Sequence, residues 1–243
     1  MNMEKVLLVM GASSDMGVAT IKKVESGFDF IIAHYLHMNE ELEKVYNSLG
    51  DKCILVKADL TVDEDIYRFI ETVKSTNHVP THIIHFPAQQ IKIQKFAKTK
   101  WENMERGLSI SLKSFVLILQ TFLPIMSKQK YGKVIVMLSY VLDGMPPKYS
   151  ADYVMTKYAL LGLVKALAVE YADRGITING ISPAFTETKF IEGMLDYFKE
   201  ENEKASPIGR NLVIEDIIPT IEFMLSEGSN CINGQNISIT CGR

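Results

Sequence analysis

Short runs of β-branched and aliphatic residues recur at Val6–Met10, Phe30–His34, Cys53–Lys57, His82–Phe86, Lys133–Leu138, Thr177–Ser182 and Ile237–Ile239. Each has the length of a strand and carries little polar alternation. Between them apolar residues fall at helical spacing, as in Ile66, Phe69, Ile70 and Val73, or Tyr158, Leu161, Leu163, Val164 and Leu167. Alternating strands and helices predict an α/β fold, and strands apolar on both faces predict a parallel sheet covered on both sides. The expected architecture is three-layered and doubly wound, with a mostly parallel seven-stranded sheet. No repeat or linker divides the chain, so one domain is expected over residues 1–243. The stretch 184–212 has no clear period but sets Phe185, Phe190, Met194, Leu195, Tyr197 and Phe198 among charges, which suits a lid over a cleft.

Composition narrows the partners. The chain has 243 residues, is 47% hydrophobic, and carries 26 basic against 29 acidic residues interspersed along its length. No broad electropositive face is expected, so nucleic acid is an unexpected partner. Cys53, Cys231 and Cys241 are odd in number and widely spaced, which fits a reducing cytoplasm and neither a zinc site nor a disulfide framework. The apolar run at the N-terminus ends in a glycine turn after one strand's length and reads as a strand, not a leader. Leu108–Met126 comes nearest to a membrane span but is broken by Ser109, Ser111, Lys113 and Gln120, short of the ~20 apolar residues a bilayer needs.

The first strand runs into Gly11-Ala12-Ser13-Ser14-Asp15-Met16-Gly17 and then a helix. A tight turn at a helix N-terminus offers backbone N–H groups and the positive dipole end to a pyrophosphate. Gly11 would allow the turn and Gly17 close helix packing, while Ser13, Ser14 or Asp15 would cap the helix. The segment resembles the T-G-x-x-x-G-x-G turn of short-chain dehydrogenases, with Met10 for threonine and Asp15 for the middle glycine. A carboxylate at Asp15 would repel a pyrophosphate unless turned aside.

Tyr153 and Lys157 stand four residues apart at the start of a long apolar helix, which places them on one face. Around them the resemblance spans nearly the whole chain: Gly132-Lys133-Val134-Ile135, Leu167 to Ala172, Ile176 to Asn179, Ser182-Pro183 with Thr186 and Thr188, and Asn233 to Ile237. These look like bacterial 3-oxoacyl-carrier-protein reductases and imply a Rossmann-type fold binding a nicotinamide cofactor. On that resemblance Gly11, Ser13, Ser14, Asp15, Met16, Gly17, Asp59, Leu60, Pro87, Ala88, Tyr153, Lys157, Pro183, Thr186 and Thr188 face the cofactor. Tyr153 would give a proton to the carbonyl oxygen, and a cationic Lys157 would lower its pKa from the usual ~10. Asp59 reads either as the acid at the adenine edge or as a cap for a helix starting near Val62. The segment His34 to Asn39 holds no acid before Glu40, which slightly favours NADP(H) over NAD(H). His34 and His37 read as packing or surface residues ahead of phosphate ligands.

Other positions depart from the family. Counting back from Tyr153 without a gap puts Tyr140 where the family has its carbonyl-binding serine, with Ser139 one place early and, by strand alternation, facing away unless the strand end twists. The family's helix asparagine aligns with Ser111, and its N-N-A-G turn with His85-Phe86-Pro87-Ala88. His85 reads as an interior histidine ahead of a catalytic one. The first expectation is an enzyme reducing a small-molecule or carrier-protein-bound carbonyl. The alternative is a weak or inactive reductase-like subunit beside an active homologue. Apolar helices Trp101–Lys128 and Tyr153–Asp173 imply a homodimer or homotetramer, or a heteromer with another reductase.

Overall fold

The computed structural model describes residues 3–242. Seven strands form: β1 (Val6–Met10), β2 (Phe30–Tyr35), β3 (Cys53–Lys57), β4 (His82–His85), β5 (Gly132–Met137), β6 (Ile176–Pro183) and β7 (Asn236–Ile239). They make one sheet in the order β3-β2-β1-β4-β5-β6-β7, with every neighbouring pair parallel. Eight helices lie between them: α1 (Asp15–Val24), α2 (Glu40–Leu49), α3 (Asp63–Ser75), α4 (Trp101–Leu108), α5 (Ser114–Gln129), α6 (Ala151–Glu170), α7 (Asp196–Ala205) and α8 (Ile214–Leu225).

Strand alternation divides the core. Val6, Leu8 and Met10 face one side with Ile32, Ile83 and Val134, where α3, α5 and α6 contribute Phe69, Phe115, Phe122, Leu160 and Val164. Leu7 and Val9 face the other with Ile31, Ile84 and Ile135, against Ile21 of α1, Leu42 of α2, and Ile217 and Ile221 of α8. A strand buried on both faces has no position left for polar alternation, which is why these segments read as unbroken apolar runs. Trp101–Gln129 is long and apolar enough by length and composition to cross a membrane, yet its Phe115, Ile118, Leu119 and Phe122 are spent on the sheet.

The helix expected over Trp101–Lys128 is interrupted. Ser109–Lys113 is a π-helical turn between α4 and α5. The stretch 184–212, expected as a lid, contains α7 and a short turn at Lys189–Ile191, and is tied back by a bridge between Thr186 and Leu212. After β3 the chain crosses to β4 on the far side of β1, so the connections leaving β1 and β4 part in opposite directions. A crevice opens there, at the carboxyl ends of the strands.

Candidate active site

The crevice has a cavity of about 320 Å³. Ser13, Ser14, Asp15 and Met16 line one end and Tyr153, Lys157, Ser139 and Tyr140 the other. Ala88, Pro183, Thr186 and Thr188 also line it. Six expected residues do not, Ser111 among them, which lines a smaller neighbouring cavity. Leu60 is 5% exposed in the core with α3, so its side chain is a packing group. Gly11, Gly17, Pro87 and Asp59 lie outside the lining, the first three packed against one another at the turn.

The turn is built by close packing. Gly11 has φ +76°, a left-handed conformation that a β-carbon disfavours, and Pro87 Cδ lies 3.3 Å from where that carbon would be. A β-carbon on Gly17 would fall 2.5 Å from Gly11 O and 2.8 Å from Ala12 Cα, so α1 is pressed directly onto the turn. Ser14 is the cap: its Oγ accepts from Gly17 N at 3.0 Å and donates to Gly11 O at 2.7 Å. Neither Ser13 nor Asp15 has that role. Asp15 is the first helical residue, and its Oδ2 accepts the Lys189 backbone N–H at 2.7 Å, with Lys189 Nζ 3.8 Å from Oδ1. The carboxylate is therefore engaged with the 184–212 segment.

Asn39, given no role by the local pattern, and His34, expected as a packing or surface residue, both bond to the turn. Asn39 caps α2 through Leu42 N at 2.9 Å, and its Nδ2 donates to Ser13 O at 2.7 Å. His34 is 2% exposed; its Nδ1 accepts from Gly11 N at 3.0 Å and its Nε2 donates to Ala58 O at 3.1 Å. An amide can only donate and a carbonyl only accept, so the ring is held as the neutral Nε2–H tautomer. Burial pushes its pKa down to about 4. His37 is exposed. Asp59 caps nothing: Val62 precedes α3 with no side-chain bond, and Asp59 Oδ1 accepts from the Thr61 hydroxyl at 2.7 Å and Thr61 N at 2.9 Å. Those bonds, the hydroxyl's first, hold the Asp59 carboxyl below its ordinary range.

At the other end Tyr153 and Lys157 leave the first turns of α6 on one face. Lys157 is 2% exposed and donates to the Met137 carbonyl at 2.6 Å, with its Nζ 5.5 Å from the centre of the Tyr153 ring. Ser139 and Tyr153 line the same cleft, near enough for the serine hydroxyl to draw the Tyr153 pKa down. Counting back from Tyr153 set Tyr140 at the carbonyl-binding position and Ser139 one place early; both line the cleft. Two residues past the end of β5, Ser139 keeps extended backbone, φ −167°, before the turn Tyr140–Leu142. Tyr140 points to the lid side, where its hydroxyl donates to Asn202 Oδ1 of α7 at 3.4 Å. Phe190 lies across the cleft, its ring centre 6.4 Å from that of Tyr153.

The electrostatics correct one expectation. Lys157 does not bring the phenol down; burial pushes Tyr153 up to about 12, against the opposing pull of the Ser139 hydroxyl. Burial also pushes Lys157 down to about 7. Both shifts favour the neutral forms, as a low-dielectric pocket must. Ser111 is buried in the π-turn, where its carbonyl accepts from His85 Nε2 at 3.0 Å. His85 is interior, packed on Phe115, and pushed down to about 3, first by burial and then by Lys157. Among the described residues no cluster of His, Cys, Asp or Glu has the arrangement of a metal site.

Residues 11–243 match the profile of the enoyl-(acyl carrier protein) reductase family. A 3-oxoacyl-(acyl-carrier-protein) reductase FabG of Rickettsia bellii is 27% identical over 97% of this chain and 95% of its own. Its namesake in Staphylococcus aureus is 26% identical over 100% of this chain and 99% of its own. Among solved structures, a 3-ketoacyl-(acyl-carrier-protein) reductase from Brucella melitensis complexed with NADH superposes with TM-score 0.88 at 22% identity, covering 98% of both chains. ElxO with NADP bound superposes with TM-score 0.86 at 22% identity, over 99% of this chain and 98% of its own. These two structures bear on the fold.

Proposed function

This chain belongs to the short-chain dehydrogenase/reductase family of NAD(P)-dependent oxidoreductases, and on that premise we propose that it reduces a carbonyl, a 3-oxoacyl thioester first, with Tyr153 as proton donor. The residues suit a nicotinamide cofactor. Gly11 and Gly17 bring the α1 N-terminus flush with the turn, and the one acidic side chain there, Asp15, is occupied by Lys189. Ser13, Ser14 and Met16 would hold the pyrophosphate end, and Lys157, Thr186 and Thr188 the nicotinamide end. A bound nicotinamide supplies the hydride.

The chain's own residues then handle the oxygen and the proton. Ser139 and Tyr153 present two hydroxyls to one carbonyl oxygen, and as negative charge gathers there both hydrogen bonds strengthen. The Tyr153 O–H bond breaks and the O–H of the product alcohol forms. A phenol held protonated by burial is ready as a donor at neutral pH, and the tyrosinate that remains takes its proton back from solvent before the next turnover. Ile91, Phe185, Phe190 and Ile191 suit the apolar part of an acyl substrate.

The observation that carries this reading is that Tyr153, Ser139 and Lys157, its Nζ 5.5 Å from the Tyr153 ring centre, open on the same cleft as Ser13 and Ser14 of the Gly11 turn. Purified protein should oxidise NADPH or NADH in the presence of acetoacetyl thioesters or simple ketones, and Tyr153→Phe should slow this by about 10²–10⁴-fold. No turnover with either nucleotide would overturn the reading. The alternative of an inactive subunit rests on Asp15, Tyr140, Ser111 and Ala88; the engaged Asp15 and the position of Ser139 favour the enzyme. We also infer a mild preference for NADP(H), since His34 to Asn39 contains no carboxylate, and assembly into a homodimer or homotetramer through Trp101, Met155, Tyr158 and Val169, exposed on α4 and α6. A solution mass equal to one 27.4 kDa chain would contradict that assembly.

A further inference from the structure

A lysine ammonium has three donors, and among the described residues Lys157 finds one acceptor, the Met137 carbonyl. Burying a cation short of acceptors is costly. Beside it lies a second, small cavity of about 20 Å³, lined by Lys157, Tyr153, Ser111, Asn103, Thr156 and Gln89. That volume accommodates one water, and within a largely apolar wall Lys157, Gln89, Asn103 and Thr156 supply polar side chains to it. Gln89 Oε1 is buried and accepts no hydrogen bond from the described residues. Room for that oxygen is kept by Gly107 of α4, where a β-carbon would come within 3.3 Å of Gln89 Oε1 and 3.8 Å of Thr156 Oγ1. A buried donor lacking acceptors and a buried acceptor lacking donors thus face the same water-sized space.

We propose that Gln89 is a positioning residue: through one water in this cavity it gives Lys157 a second acceptor and fixes the ammonium beside Tyr153. Its kinetic consequence rests on the oxidoreductase reading; its structural content does not. The titratable groups facing Lys157 are Tyr153 and Asp152 from α6, His85 from β4 and Tyr140 from the β5–α6 connection. His85 Nδ1 is also buried without a partner among the described residues, but it does not line this cavity, which leaves Gln89 as the amide within reach.

The test follows the Lys157 titration by NMR in lysine-labelled, nucleotide-free protein, for the wild type, Gln89→Leu, Gln89→Glu and Gly107→Ala. Gln89→Leu should weaken protonation of Lys157 about tenfold, and Gln89→Glu should strengthen it by a similar factor. Gly107→Ala, which favours the helix, should crowd the amide oxygen and act in the same direction as Gln89→Leu, so the test survives if the leucine variant fails to fold. A crystal structure of the wild type should place a water within about 3.2 Å of both Gln89 Oε1 and Lys157 Nζ. With an active wild type, Gln89→Leu should lower kcat about tenfold and leave KM for nucleotide nearly unchanged, with Gln89→Glu recovering part of the loss. An unaltered Lys157 titration in Gln89→Leu and Gly107→Ala, with no bridging water, overturns the proposal whatever the activity. A shifted titration in a protein whose wild type turns over nothing upholds it and sinks the oxidoreductase reading instead.

Discussion

Titrating the protein from pH 7 to about 5 protonates a histidine in the unfolded chain but not His34, His82 or His85 in the folded one. These side chains are 2%, 1% and 1% exposed, and burial pushes them from 6.5 down to about 4, 3 and 3. Each folded pKa lies below its unfolded value, so the unfolded state takes up the proton first. The stability involved is whole above about pH 6.5 and drains away as the pH falls. Between pH 7 and about 5 each histidine costs about 2 kcal/mol, and this hardly depends on the folded pKa once that lies well below 5. Three together give about 6 kcal/mol, comparable with the whole stability of many domains. The carboxylates held low, Glu41, Asp59 and Asp216, lose their contributions only below their ordinary range near pH 4, so the window from about 5 to 6 isolates the histidines. Urea denaturation at closely spaced pH values should give a slope of about 3.7 kcal/mol per pH unit around pH 5.5, the uptake of about 2.7 protons on unfolding. A slope corresponding to one proton or fewer would refute the claim that all three rings are held neutral. Because His34 and His85 stay neutral in the folded protein across this window, the bonds from His34 to the Gly11 turn and from His85 to Ser111 persist, and nucleotide affinity of the folded protein should hold until the pH approaches about 4.

Three substitutions probe the site and its support. Gly17→Ala would set a methyl 2.5 Å from Gly11 O with backbone on both sides, so the turn and α1 must separate. A loss of about 1–3 kcal/mol in stability and at least about tenfold in nucleotide affinity is expected by calorimetry, and unchanged values would show that the packing is slack. Asp15→Ala leaves the Lys189 N–H without its carboxylate, removing an interaction of about 1–2 kcal/mol between the turn and the 184–212 segment. Trypsin should then cut after Lys189 several-fold faster, and equal rates would mean that Asp15 does not restrain the segment. Lys133 is 1% exposed, donates to Ser229 Oγ and has a pKa lowered chiefly by burial. Since Ser229 Oγ also donates to the Met224 carbonyl, Lys133→Met should be neutral or stabilising by about 1 kcal/mol, and a loss above about 2 kcal/mol in urea would contradict this.

The strands were legible because their burial is uniform. No strand end read from the sequence differs from the observed one by more than a residue: β1 and β3 agree at both ends, while β5 is displaced by one. A run buried on both faces needs no knowledge of its neighbours to be recognised. The break in the helix over Trp101–Lys128 was not legible, because its most evident use is distant. The π-turn presents the Ser111 carbonyl to His85, which arrives on another strand. Local periodicity contains no trace of a carbonyl recruited from 26 residues away.

The site divides along the same line. Tyr153 and Lys157 could be read because their relation is contained in one helical turn. Asp15 could not, since its charge is answered by a backbone amide 174 residues further on. A sequence comparison at that position registers only a carboxylate where a glycine was expected. Ser139 is the sharper case, for two local rulers disagree about it. Counting back from Tyr153 measures through a connection of unconstrained length, whereas counting forward from Gly132 measures along a strand whose register is fixed by pairing, Gly132 with Ile176 through Met137 with Ile181. Pairing fixes the direction of every side chain on a strand, and a loop absorbs an added residue at small cost. The strand is therefore the ruler to follow: with Met137 paired and lining the cleft, Ser139, two residues on and still in extended backbone, lines it too.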